Sequence, residues 1–273
     1  MPQKTEKHTM PENTPSSLIT DEPKIWVVSL TDLRKYRTNL QNLLSSAEQL
    51  RYQRYLQQDD KDRYLGGRAL AKLAVAHLTG MPVNTISIRV DASGKPHIAF
   101  AQSSMVPPAI SISHAGELIV VATAAMVDLG VDVELLHRDV DLDDLMRVVC
   151  SDREMDEINH PDNKSRTQKF YEFWVLKEAY LKATGDGLSA DARRLIFSVD
   201  AASGVSLVQG LDKQAEAWSF LLHQFDNQHM IAVASRRLRA RDECAEDRKI
   251  GVAAGKPTYM DATSLLMDYC IDR

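Results

Sequence analysis

The sequence predicts an α+β protein made of two halves that meet near residues 124 to 128. The first observation behind this is the order of hydrophobic periodicities, which runs strand, helices, strands, then helices and strands again. The second is size: 273 residues, 44% of them hydrophobic, fill one large domain or two small ones and bury a core without disulfide support. No residue-level repeat stands out between the halves.

Residues 1–23, MPQKTEKHTMPENTPSSLITDEP, are polar and proline-containing. They lack the apolar stretch of a secretory signal and the Arg-rich character of a transit peptide, and read as a flexible tail. Order is expected to begin with a buried strand at residues 24–30, followed by a Thr31/Asp32 cap signal and helical sequence. Gly66 and Gly67 then precede an amphipathic helix, GRALAKLAVAHLTG. Leu70, Leu73, Ala74, His77 and Leu78 share its apolar face, Arg68 and Lys72 lie away from it, and Gly80 with Pro82 ends it.

From residue 86 the period becomes two. Strands at 86–90 and 96–100 flank the turn Asp91-Ala92-Ser93-Gly94, a hairpin signal, and further strands are expected at 110–113, 118–123 and 129–134. Helices follow at 142–150 and 152–159, then a long one at 165–183 stopped by Gly185-Asp186-Gly187, and then strands at 195–199, 218–225 and 230–234. After Ser235 the mixed-charge run RRLRARDECAEDRK reads as a solvated helix or tail, and residues 259–273 as one more short helix. The expected division is a tail at 1–23, a first half at 24–124, a second half at 125–236 and a C-terminal extension at 237–273.

Composition narrows the function. Lys and Arg number 33 against 38 Asp and Glu, a formal charge of −5, and the isoelectric point is about 5.9. That balance does not favour non-specific nucleic-acid or membrane binding. No apolar run approaches the roughly 18 residues of a membrane span. The three cysteines, Cys150, Cys244 and Cys270, are odd in number and share no zinc-like spacing, which fits a reducing, cytoplasmic setting.

Four constellations bear chemistry. In Gly130-Val131-Asp132-Val133-Glu134 the two carboxylates share one strand face, where they repel unless solvent or a cation such as Mg²⁺ lies between them. In FWVLKEAYLK, residues 173–182, Lys177, Glu178 and Lys182 sit among large apolar residues, on a partly buried rim suited to a cation and to phosphate oxygens or to a simple Glu178–Lys182 ion pair. In Ser111-Ile112-Ser113-His114-Ala115-Gly116 the neighbours Ser113 and His114 face opposite ways, so they are not a nucleophile–base pair, and His114 reads as a ligand contact or an ordinary bonded histidine. Gly94-Lys95-Pro96 forms a turn, with Arg51, Arg54, Arg63 and Arg68 upstream. Phosphate-loop, dinucleotide and zinc-protease motifs are missing.

In order and spacing these motifs resemble the 4′-phosphopantetheinyl transferase superfamily, in its larger, single-chain, surfactin-synthetase-activating type, over roughly residues 24 to 236. The resemblance implies two similar α/β halves related by a pseudo-twofold axis, with the active site between them. It implies transfer of the phosphopantetheine arm of coenzyme A to a serine of an apo acyl or peptidyl carrier protein, with release of 3′,5′-ADP, by a monomer. Asp132, Glu134 and Glu178 match metal positions, for Mg²⁺ or Mn²⁺. Lys182 and Lys177 match phosphate-contacting lysines, Lys182 as the stabiliser of the transferring phosphate, and Glu154 falls where the type carries a serine-deprotonating glutamate. Ser113, His114, Lys95 and Pro96 match coenzyme A contacts, and Arg51 and Arg63 are assigned to its 3′-phosphate. Met146, Val148 and Val149 are candidates for carrier contact. The readings set against the transferase are an idle coenzyme A or carrier-protein binder and a Mg²⁺-dependent pyrophosphate hydrolase.

Overall fold

The computed structural model describes residues 20–136, 142–160, 165–187, 191–200, 204–211, 217–238 and 258–271. The expected N-terminal tail up to residue 19 and most of the mixed-charge run, residues 239–257, lie outside the described residues. The first half begins with β1 (Lys24–Ser29). Three short helices follow, α1 (Leu30–Lys35), α2 (Arg37–Gln41) and α3 (Ser46–Arg54), and then the long α4 (Gln58–Thr79). The hairpin β2 (Ile86–Val90) and β3 (Pro96–Phe100) leads to β4 (Ala109–Ala115) and β5 (Leu118–Ala124).

The second half repeats this order with β6 (Val127–Leu135), α5 (Leu142–Val149), α6 (Asp152–Ile158) and the long α7 (Arg166–Thr184). A hairpin, β7 (Ile196–Asp200) and β8 (Gly204–Gln209), leads to β9 (Trp218–Phe225) and β10 (His229–Arg237). The chain then adds β11 (Thr258–Asp261) and α8 (Thr263–Ile271). Among the described residues the strand orders are β11-β1-β5-β4 and β6-β10-β9, so each half lays its first strand beside its last. The pairs β1–β5 and β6–β10 are antiparallel, and β11 runs parallel to β1.

Side-chain alternation builds the layers. On β1, Trp26 and Val28 enter the first-half core with α4, while Ile25 and Val27 enter the core between the sheets. On β6, Leu129, Val131 and Val133 face that inter-sheet core, which leaves Gly130, Asp132 and Glu134 for the α7 side. No helix among the described residues is long and apolar enough to cross a membrane.

Several expectations are corrected. The helix expected to start after Gly66 and Gly67 runs straight through them from Gln58. The two glycines are contact points: a Cβ on Gly66 would lie 2.3 Å from both Ile119 Cδ1 and Leu33 Cδ1, and one on Gly67 2.8 Å from Ile112 Cγ2. Lys72 is buried instead of lying away from the core, and His77 is exposed, its ring meeting Trp26 edge-on at 5.6 Å. Neither β8 nor β11 was expected. The C-terminal helix exists as α8, and Ala262 and Leu266 are fully buried in the first-half core.

Candidate functional site

The site is built where β4 meets β6. Ser111 and Ser113, two apart on β4, turn their hydroxyls toward β6, where Ser111 Oγ accepts from the Val131 amide at 2.9 Å and Ser113 Oγ from the Val133 amide at 3.3 Å. Ser113 Oγ in turn donates to Asp132 Oδ1 at 2.9 Å. Helix α7 lies directly on β6 because residue 130 is glycine: a Cβ there would sit 1.9 Å from the Ala179 carbonyl oxygen and 2.6 Å from the Ala183 nitrogen. This close approach brings Lys182 Nζ to 2.6 Å from Asp132 Oδ1 and 2.9 Å from Ser113 Oγ. One lysine from the second half thus ties a carboxylate of its own half to a serine of the other.

Asp132 is buried, and its second oxygen, Oδ2, has no partner in the structure. Glu134, partly exposed on the same strand face, accepts from Trp174 Nε1 at 3.1 Å. Burial pushes the Glu178 carboxyl up to about 7, with Asp132 and then Glu134 adding to the rise and Lys182 opposing it. Asp132, Glu134 and Glu178 are therefore within electrostatic reach of one another. Among the described residues, however, no three His, Cys, Asp or Glu side chains stand as a ready-made metal cage. The donors still fit a hard cation that keeps several waters and takes one or two carboxylates, since all are oxygens and one is a buried, unpaired carboxylate oxygen.

Beside this junction a cavity of about 390 Å³ is lined by Arg51, Arg63, Arg68, Tyr55, Tyr64, Asp60, Pro96 and His114, among others. The Arg51 and Arg68 guanidinium groups lie 5.7 and 5.5 Å from the Tyr64 ring centre. Arg63 donates twice to the Gly116 carbonyl, at 3.2 Å each, and pairs with Asp60 at 3.0 Å. His114 borders both regions. Its protein surroundings, then Lys182 and Arg63, lower the pKa of its imidazolium. Three arginines and an imidazole thus line a cavity suited to a phosphorylated nucleotide, and the Lys182 ammonium lies near enough to His114 to act on its imidazolium.

Of the residues expected at the site, Asp132, Glu134, Glu178, Lys182 and Ser113 are placed at the junction, and Arg51, Arg63, Pro96 and His114 on the cavity wall. Three are at neither. The Lys177 ammonium is buried, 1% exposed, and donates to Glu154 Oε2 at 2.6 Å, the Val149 carbonyl at 2.8 Å and the Ala192 carbonyl at 2.9 Å. All three of its protons are used, so it has none for a phosphate. Glu154 is 0% exposed: Oε2 accepts from the Ser151 amide, the Ser151 hydroxyl and Lys177, and Oε1 from the Phe197 amide at 3.1 Å. A base must reach the proton that it removes, and this carboxylate faces no solvent. Lys95 Nζ donates to the Ala183 carbonyl near the end of α7 and does not line the cavity.

Of the three residues expected to meet a carrier, Met146 and Val149 are buried in the second-half core and Val148 is 69% exposed. Arg68 is the cavity residue that sequence reasoning named but did not assign, and its Nη1 is buried without a partner in the structure. The continuous helix would have shown it, since Tyr64 and Arg68 lie one turn apart.

Fold and site define a two-half protein with a carboxylate–lysine junction beside an arginine-lined nucleotide-sized cavity. A family model described as 4′-phosphopantetheinyl transferase, N-terminal, matches residues 32–126, and one described as 4′-phosphopantetheinyl transferase superfamily matches residues 128–234. The chain belongs to this superfamily and carries both halves in one polypeptide. It is 27% identical to the 4′-phosphopantetheinyl transferase HetI of Nostoc sp., over 84% of this chain and 94% of that one. It is 26% identical to a phosphopantetheinyl transferase of Thraustochytrium sp., over 77% and 76% of the two chains. To the human L-aminoadipate-semialdehyde dehydrogenase-phosphopantetheinyl transferase it is 28% identical, over 71% and 72%.

Proposed function

We propose that this chain transfers the 4′-phosphopantetheine group of coenzyme A to a serine hydroxyl of an apo carrier protein and releases 3′,5′-ADP. The observation that carries this reading is Lys182, shared between Asp132 of one half and Ser113 of the other and close to His114 on the wall of the arginine-lined cavity. Arg51, Arg63 and Arg68 take the nucleotide end with its 3′-phosphate, and His114 and Lys182 meet the pyrophosphate. The serine oxygen bonds to the phosphorus of the pantetheine phosphate as its proton passes to solvent water. The bond from that phosphorus to the 3′,5′-ADP oxygen breaks, and 3′,5′-ADP departs with the electron pair. Lys182 stabilises the charge that grows on the transferring phosphate.

Asp132 and Glu178, with Glu134 beside them, would hold a divalent cation, Mg²⁺ or Mn²⁺, which when bound neutralises pyrophosphate oxygens. Holding both halves in one chain, the protein works as a monomer. Free thiols at Cys150 and Cys270 support a reducing, cytoplasmic setting.

Intact mass of a panel of apo carrier proteins, after incubation with the protein, coenzyme A and Mg²⁺, tests the reading. A gain of one phosphopantetheine, lost with chelator and with Glu178→Ala, is expected. Coenzyme A cleaved without any carrier would make the chain a pyrophosphate hydrolase, and coenzyme A bound but unchanged with every carrier would make it a binding protein.

A further inference from the structure

The buried Glu154–Lys177 pair has a twin in the other half. There, Ser45 caps α3 and Glu48 closes the capping box, as Ser151 and Glu154 do for α6. Lys72, on the long helix α4 and 24 residues after Glu48, donates to Glu48 Oε2 at 2.6 Å and to the Leu43 carbonyl at 2.7 Å. Lys177, on α7 and 23 residues after Glu154, donates to Glu154 Oε2 at 2.6 Å and to the Val149 carbonyl at 2.8 Å. Each carbonyl lies two residues before its capping serine, and all four charged side chains are buried.

Neither Glu48 nor Lys72 belongs to the carboxylate–lysine junction or to the cavity wall. Where α7 continues from Lys177 to Glu178 and Lys182, α4 continues from Lys72 to Leu73 and His77. A device present in both halves answers a need common to both, which is to seat a long helix on the capped helix before it. Successive helical residues point about 100° apart, so anchoring Lys177 inward at several acceptors fixes the direction of Glu178, and one turn on that of Lys182. The second-half copy is the more fully bonded. Glu154 Oε1 holds the Phe197 amide and Lys177 also holds the Ala192 carbonyl, whereas Glu48 Oε1 has no partner in the structure.

We infer that Glu154 and Lys177 are positioning residues, a clamp that sets the rotation of α7 and so aims Glu178 and Lys182 at Asp132, and that Glu154 is not the base for the carrier serine. This deepens the transferase reading and rests on it.

The test compares Glu154→Gln, Lys177→Met and their double variant with Glu48→Gln, Lys72→Met and theirs. Each single variant strands a buried charge, and each double variant removes both. The clamp predicts that the Glu154 and Lys177 singles melt several degrees lower and lose more than about tenfold in kcat, with a smaller change in KM for coenzyme A. The double should regain most of the lost kcat with the wild-type pH profile. In the first half the singles should lower melting in the same pattern and leave kcat unchanged while folded. A folded double variant that binds coenzyme A normally, yet loses about 10²–10⁴ in kcat along with the ascending limb of its pH profile, would make Glu154 the base and overturn the inference. If the double does not fold, Glu154→Gln alone decides, because melting like wild type would overturn the clamp. A wild type that modifies no carrier would count against the transferase reading only; the clamp would then stand or fall on the two sets of melting temperatures.

Discussion

Among the described residues the two halves offer two junctions, and one of them carries the candidate site. At the first, the edge strand β4 of one sheet meets the edge strand β6 of the other through Ser111 and Ser113, with Lys182 above Asp132. By the repeated strand order, the equivalent junction would join β9 to β1. There β11 is paired along β1, from Lys24 with Thr258 to Val27 with Asp261. From β11, the Tyr259 ring reaches β9, with ring centres 4.9 Å from His223 and 6.4 Å from Phe225. Burial raises the Tyr259 hydroxyl pKa, as suits a ring that fills a gap. A duplicated framework thus supplies two similar seams. A C-terminal strand closes one, while glycine, carboxylate and lysine turn the other into a site.

The closed seam is tested by Leu266→Ala, which empties a fully buried position of α8. It should cost about 2–5 kcal/mol in denaturant unfolding and leave transfer intact wherever the protein stays folded. The open seam is tested by Gly130→Ala. Its new methyl meets backbone of α7, so the helix must shift, and kcat should fall about 100-fold, as expected for a misplacement near 1 Å. Gly66→Ala is the first-half control. There the methyl meets only side-chain ends of Leu33 and Ile119, so the expected cost is about 1–3 kcal/mol of stability with kcat retained.

A pH experiment sharpens the contrast between stability and catalysis. Burial acts to raise the Asp62 carboxyl, but hydrogen bonds from Arg37, Gln58 and Arg34 outweigh it and hold the pKa below the usual carboxylate range. A depressed folded pKa gives stability that is complete above the unfolded value near 3.8 and is lost as pH falls through the folded value. Asp62→Asn should cost about 1.5–3 kcal/mol at pH 7. Its difference from wild type in urea unfolding should shrink as pH falls below about 4. The smallest effect is expected from Lys95→Met, which removes the cation from the C-terminal end of α7. About 0.3–1 kcal/mol of stability should be lost, with coenzyme A affinity unchanged because Lys95 does not line the cavity.

The sequence was most legible where chemistry is local. Asp132 and Glu134 share a strand face, Glu178 and Lys182 a helix face, and Ser113 with His114 ends a strand, so periodicity alone places them well. It was least legible where meaning depends on distant partners. Ser151-x-x-Glu154 is a capping signal that can be read from sequence, but the lysine that neutralises it stands 23 residues on, and nothing local says that Lys177 turns inward. Ser45-x-x-Glu48 and Lys72 hold the same relation, so the repeat was present in the sequence but lay in three widely spaced polar residues. Likewise Gly66 and Gly67 look like a helix start until Leu33 and Ile119 are known to press against Gly66. The pairing of β11 with β1 joins segments more than 230 residues apart, beyond the reach of any local pattern.

The central claim is that transfer occurs at the β4–β6 junction through Lys182. The most direct test is the single-turnover rate of holo-carrier formation by Lys182→Met at saturating coenzyme A and Mg²⁺, alongside its coenzyme A affinity. The transfer rate is expected to fall by about 10²–10³, with a smaller loss of coenzyme A affinity, because the arginines that take the nucleotide end are untouched. Transfer at the wild-type rate by a folded Lys182→Met protein would contradict it.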